Sequence, residues 1–289
     1  MMPSLRPSRR HVLRGYLVLP HAVPILVVMT ATAAFAVVAA GGRPGLGSLV
    51  CLLSAMFGGQ IAVGAVNELV DADLDAVAKP NKPIPAGLVS RRGARTVAIV
   101  GLILMALFSL RFSVEAFALC ALGTSVGLAY SVWFKRTIWS WVPYLIALPL
   151  LPIWVWTALS TVKPGLFAIY PIGAAAVVAV QIAQSLPDAE TDKAARVETL
   201  AVALGPKRAL QVCWGAMILA TLLAAGLASW LTEHPVHVWF AAPLACALVG
   251  LNIIIWGKNA RSGVMACFPC MALSAVVLGV SWTTALFSL

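Results

Sequence analysis

Long apolar runs alternate with short polar stretches along the whole chain. A helix that crosses a bilayer needs about 20 mostly apolar residues. Runs at 17–40, 46–69, 97–112, 115–134, 141–159, 166–187, 209–231, 237–256 and 264–287 meet or approach that length, the third being short. They predict an all-α integral membrane protein, a bundle of about nine transmembrane helices with residues 1–289 as one membrane domain. The first run is too long for the apolar stretch of a cleavable signal and reads as the first membrane helix.

Composition agrees with the pattern. Of 289 residues, 61% are hydrophobic and 10% charged, and mean hydropathy is +0.96. A soluble domain carries about 25% charged residues. A net charge of +10 would suggest nucleic acid in a soluble chain, but topology accounts for it here. With the basic start (Arg6, Arg9, Arg10, Arg14) placed inside, the inside segments 1–16, 70–96, 135–140, 188–208 and 257–263 hold 17 of the 20 Lys and Arg residues. Only Arg43, Arg111 and Lys163 fall outside. Cytoplasmic loops collect Lys and Arg in this way. The expectation is a multi-pass cell-membrane protein with its N-terminus cytoplasmic and no nucleic-acid partner. An odd number of spans puts the termini on opposite sides.

The acids carry the chemistry. Asp71, Asp73, Asp75, Asp188, Glu190, Asp192 and Glu198 all fall inside, with Glu68 just within the membrane end; only Glu115 and Glu233 fall outside. Acidic residues contribute little to topology, and carboxylates at membrane depth are functional candidates by default. On a helix at about 100° per residue, Asn67, Glu68, Asp71 and Asp75 share one face, and Asp73 points away. Gln181, Gln184, Asp188 and Asp192 share another if their helix continues, although Pro187 should kink it. A solvated helix end is the bland alternative for either group alone. Two helices with oxygen ligands in i, i+4 rows at one depth point instead to Mg²⁺, which binds a few carboxylates together with substrate phosphates.

Basic residues lie close to both groups in sequence. Lys82 follows the first, Lys135 and Arg136 end the fourth helix after Tyr130, and Lys193 follows the second. Lys and Arg both bind phosphate oxygens, so a diphosphate held by metal and cations together is the expected ligand. The six cysteines are scattered through apolar stretches. Cys267-Phe-Pro-Cys270 lacks the second pair or nearby His of a metal site, so the cysteines read as packing residues. Trp133, Trp139, Trp141, Trp154 and Trp156 read first as belt or packing residues, and as cation stabilisers second. His21, His234 and His237 carry no signal beyond packing or interface placement.

These residues resemble the UbiA superfamily of intramembrane prenyltransferases. Its NDxxDxxxD motif stands here as Asn67-Glu68-x-x-Asp71-x-x-x-Asp75, and its DxxxD motif as Asp188-x-x-x-Asp192. Lys82-Pro83-Ile84-Pro85-Ala86-Gly87 is similar to the family's (R/K)PIPxG stretch. Tyr130 with Lys135-Arg136 resembles its fourth-helix segment, and Glu198-Thr199-Leu200 with Leu204-Gly205 its TLP…LG ending. The resemblance covers residues 67–205. Two positions depart from it: Glu68 replaces the usual Asp, and Ala201 stands where Pro is common. Pro80-x-x-Pro83-Ile84-Pro85-x-Gly87 looks closest to branches that use chlorophyllide or glyceryl phosphate ethers, and no acceptor is named on that basis.

The resemblance implies a membrane prenyltransferase acting on a polyprenyl diphosphate and a membrane-accessible acceptor, aromatic or lipid-like, with Mg²⁺ as cofactor. Asn67, Glu68, Asp71, Asp75, Asp188 and Asp192 would hold the metal, the four aspartates being the catalytic set. Lys82, Tyr130, Lys135, Arg136 and Lys193 would bind the diphosphate. Two alternatives stay open. A UbiA-type terpene cyclase would use the same motifs without an acceptor. A cation transporter would use intramembrane acids, but would place them nearer the midplane. A CDP-alcohol phosphotransferase is set aside for want of its DG-x-x-AR segment.

Overall fold

The computed structural model describes residues 9–19 and 22–287; Arg6 and His21 lie outside the described residues. It is an assembly of helices: α1 (Arg9–Val18), α2 (Ala22–Ala39), α3 (Leu46–Ala78), α4 (Arg91–Leu110), α5 (Val114–Ala129), α6 (Val142–Leu159), α7 (Ile169–Ser185), α8 (Ala189–Ala194), α9 (Leu200–Leu231), α10 (Val236–Lys258) and α11 (Ala260–Phe287). A π-helical turn, Tyr130–Phe134, extends α5, and a 3₁₀ turn, Leu186–Asp188, joins α7 to α8. Among the described residues, eight helices are long and apolar enough to cross a membrane, and Val23–Ala39 within α2 is a shorter apolar ninth. The nine apolar runs of the sequence are all present as helices.

Boundaries differ where polar residues stay helical. The second run continues through its acids to Ala78, and the third begins at Arg91, where the Ser90 side chain accepts from the Gly93 amide and caps the helix. A serine cap satisfies one of the four donors that a helix start leaves open. α9 starts at Leu200, capped by Thr199, and bends where Gly205 adopts φ +73° ahead of Pro206. α1 is a short basic helix that the apolar pattern does not single out.

Small residues set the closest helix packing. A Cβ on Gly58 of α3 would lie 2.6 Å from the Gly101 carbonyl oxygen, and one on Gly101 of α4 would lie 2.6 Å from that of Gly58. Close backbone approach of this kind is the usual membrane solution, since lipid gives helices no hydrophobic reason to associate. Polar side chains tie other helices together: Asn252 accepts from the Trp214 indole at 2.8 Å and donates to the Gly263 carbonyl at 2.9 Å. Large apolar side chains cover the outside, including Phe57, Leu107 and Leu222. Trp133 and Trp139 near one end, with Trp230, Trp239 and Phe240 near the other, are exposed at helix ends as interfacial aromatics are. Trp154 and Trp156 are buried, and Cys120, Cys213, Cys267 and Cys270 are buried free thiols.

α2, α3, α5, α6, α7 and α11 surround a cavity, with α4 packed behind α3 and α10 behind α11. That arrangement leaves the two acidic helices facing a common space.

Candidate active site

A cavity of about 830 Å³ lies inside this ring. One part is apolar, walled by Val27 and Val28 of α2, Met56 of α3, Leu119 of α5, Leu148, Leu151 and Trp154 of α6, and Phe268 of α11. The other is polar and holds Asn67, Asp71, Asp75, Lys79, Lys82, Lys135, Arg136, Asp188 and Asp192. Met56 precedes Asn67 by three helical turns, so α3 alone spans from grease to charge at roughly 1.5 Å per residue.

Helix continuity places the first acidic group. Because α3 runs on to Ala78, Asn67, Asp71 and Asp75 stay on its inner face, and Asp71 and Asp75 are buried. Asp73 is turned out and pairs with Arg91. The second group depends on a break. Pro187 sits in the 3₁₀ turn that re-aims the chain, and Asp188 and Asp192 both reach the cavity from that turn and α8. Gln181 does not join them: it is buried and donates to Ser140 Oγ at 2.7 Å. Of the expected shared face, Gln184, Asp188 and Asp192 line the cavity.

Cations sit among these carboxylates. Lys135 donates to Asn67 Oδ1 at 2.8 Å and to Asp71, whose other oxygen is 2.8 Å from Arg136. Lys82 lies 2.6 Å from Glu68 Oε1 and 2.8 Å from Asp75 Oδ2. Lys79 lies 2.5 Å from Asp188 Oδ1, spanning the two acidic groups. Burial works against the charge on Lys82, but its hydrogen bonds to Asp75 and Glu68 outweigh that and hold its amine above the ordinary lysine range.

Tyr130, expected near the diphosphate, lines the cavity from the π turn, which also carries the chain round to Lys135. Its ring meets the edge of Tyr144, centroids 5.2 Å apart, and Tyr144 donates to Gln184. Two expectations need correction, and one residue of the cavity was not expected there. Lys193 is exposed on α8 and does not line the cavity. Glu68 is buried behind the wall and serves as the partner of Lys82. Lys79, one of the 17 Lys and Arg residues counted on the inside, is the cation that meets Asp188. Its position four residues after Asp75 was the available signal.

The donor set fits a hard divalent cation, since the amide and carboxylate oxygens come from two helices around one polar pocket. Ammonium groups already sit within hydrogen-bond distance of these oxygens, so the pocket favours positive charge. Among the described residues, no three His, Cys, Asp or Glu side chains form a ready-made metal cluster.

A family model described as the UbiA prenyltransferase family matches residues 27–276. The digeranylgeranylglyceryl phosphate synthase of Natronomonas pharaonis is 27% identical over 238 residues, covering 76% of this chain and 82% of its own. The bacteriochlorophyll synthase 33 kDa chain of Cereibacter sphaeroides is 27% identical over 242 residues, covering 79% and 70%. A UbiA homolog from Archaeoglobus fulgidus bound to GPP and Mg²⁺ superposes with a TM-score of 0.70 at 19% identity, covering 93% of this chain and 99% of that one.

Proposed function

The chain belongs to the UbiA prenyltransferase family, and on that premise we propose that this membrane enzyme moves a prenyl group from a polyprenyl diphosphate to a lipid-like or aromatic acceptor, with Mg²⁺ as cofactor. One observation carries the reading. The cavity has charge at one end and grease along the rest, the outline of a diphosphate head with an isoprenoid tail. Lys82, Lys135 and Arg136, together with Lys79, supply donors for phosphate oxygens. Asn67, Asp71, Asp75, Asp188 and Asp192 supply the oxygens that would hold the metal. When bound, Mg²⁺ neutralises charge that develops on the diphosphate as the allylic C–O bond breaks.

The protein's own part is preorganisation. Ion pairs and hydrogen bonds fix the charged groups before substrate arrives, so little reorganisation is needed as the leaving group gains charge. The apolar walls keep water from the allylic cation until the acceptor captures it. The excess of Lys and Arg on one side of the helices supports a cytoplasmic mouth and N-terminus. Similarity to a digeranylgeranylglyceryl phosphate synthase and to a bacteriochlorophyll synthase chain supports a lipid-like or aromatic acceptor.

The test is diphosphate release by purified protein given geranyl, farnesyl and geranylgeranyl diphosphates, with Mg²⁺ or EDTA. Metal-dependent turnover that requires an added lipid or aromatic extract supports transfer. Metal-dependent release with an acceptor-free terpene product would replace transfer by cyclisation. No release from folded protein under any condition would overturn the diphosphate site.

A further inference from the structure

We infer that Lys79 is a displaceable clasp: in the empty site it neutralises Asp188 and bridges the two acidic groups, and it gives up Asp188 more readily to metal and diphosphate together than to metal alone. The inference rests on the reading of the site given above.

The geometry sets Lys79 apart from the other cations of the cavity. Lys82 pairs with carboxylates of α3, where its own segment begins, and Lys135 and Arg136 pair with Asp71 of that same helix. Among the described residues, Lys79–Asp188 is the ion pair that crosses from the first acidic group to the second. It is also the more open one. The Lys79 and Asp188 side chains are 33% and 51% exposed, against 7–8% for Asp71 and Asp75. A half-exposed pair is weak, so it can part without a large penalty.

The Lys79 ammonium sits on Oδ1 of Asp188, so a metal that binds this carboxylate alone sets its positive charge beside that ammonium and the two repel. A metal arriving with diphosphate brings phosphate oxygens that take Lys79 over. Metal and diphosphate therefore favour one another through Lys79, and such a coupling is reciprocal. Lys79 is a positioning residue in this scheme, acting through Asp188.

Equilibrium dialysis of Mn²⁺ against the purified full-length protein tests this, with and without inorganic pyrophosphate. Without pyrophosphate, Lys79→Gln should bind Mn²⁺ roughly threefold more tightly than wild type, the scale on which a half-exposed ion pair can compete. Lys79→Arg, which keeps the charge and the donor, should match wild type. The gain should vanish in an Asp188→Asn background, as a double-mutant cycle requires of a direct pair. Pyrophosphate should also enhance Mn²⁺ binding less in Lys79→Gln than in wild type. Unchanged Mn²⁺ affinity in Lys79→Gln would overturn the clasp while leaving the site intact. So would an equal gain in the Asp188→Asn background, which would mean simple repulsion through space. Folded wild type that binds no Mn²⁺ even with pyrophosphate would remove both the clasp and the diphosphate site.

Discussion

Lys82 Nζ lies 2.6 Å from Oε1 of Glu68, a carboxylate 1% exposed and set behind the cavity wall. The pair explains why a membrane helix tolerates a fourth acid so near its three aspartates. Glu68 anchors the segment that carries Lys82 over the mouth. The same ammonium also reaches Asp75 at 2.8 Å, so one cation links a buried anchor to a carboxylate that lines the cavity.

Replacing Lys82 by Met leaves Glu68 without that compensating charge. Removing one partner of a buried pair costs about 3–5 kcal/mol. Thermal melting in detergent should show a large drop for Lys82→Met, and Glu68→Gln/Lys82→Met should regain part of it. Equal melting of Lys82→Met and wild type would contradict the buried pairing.

The pH dependence has a definite sign. The folded value of Lys82 is raised above its ordinary 10.5 by Asp75 and Glu68, against the opposing effect of burial. Its contribution to stability is whole below 10.5 and is lost as pH climbs through the higher folded value. Melting curves taken from neutral to strongly alkaline pH should show a loss above 10.5 in wild type that Lys82→Met lacks.

Cavity position separates two lysines that look alike in sequence. Lys135 sits on Asn67 and Asp71, whereas Lys193 points away on α8. Diphosphate-release kinetics should show Lys135→Met losing about 10²-fold in turnover, the scale of removing one preorganised electrostatic donor. Lys193→Met should change it far less. A comparable loss in both would restore Lys193 to the site.

Packing of α3 on α4 is equally open to test. Ala at Gly58 or Gly101 puts a methyl group 2.6 Å from a carbonyl oxygen of the facing helix. Overpacking of this kind costs about 1–3 kcal/mol, so either variant should melt earlier. Because α3 carries Asn67, Asp71 and Asp75, Mn²⁺ binding should weaken with it.

Local spacing made the first acidic group legible. Asn67, Asp71 and Asp75 recur with the helical period, and α3 stays helical through them, so three of the four residues read on one face line the cavity, and Glu68 turns to Lys82. The second group was legible in its residues and less so in its geometry. Pro187 announced a break, but the direction taken after a break depends on what the next residues pack against. That is why Asp188 and Asp192 reach the cavity from a turn and α8 rather than from the face of one straight helix. The Tyr144–Gln184 bond joins residues forty positions apart, and no period links them.

The sequence by itself determined what each segment had to do in a bilayer. Apolar length specified the spans, while the Lys and Arg counts gave an expected direction and the i, i+4 acids candidate chemistry, all through patterns within a few residues. Only the tertiary structure decided which cation meets which carboxylate. Lys79, Lys82, Lys135 and Lys193 carry the same group at similar depth, and their roles diverge by a few ångströms of placement. Electrostatic attraction at hydrogen-bond distance depends on that placement, which is fixed by how α3, α5 and α8 converge around the cavity rather than by any local pattern.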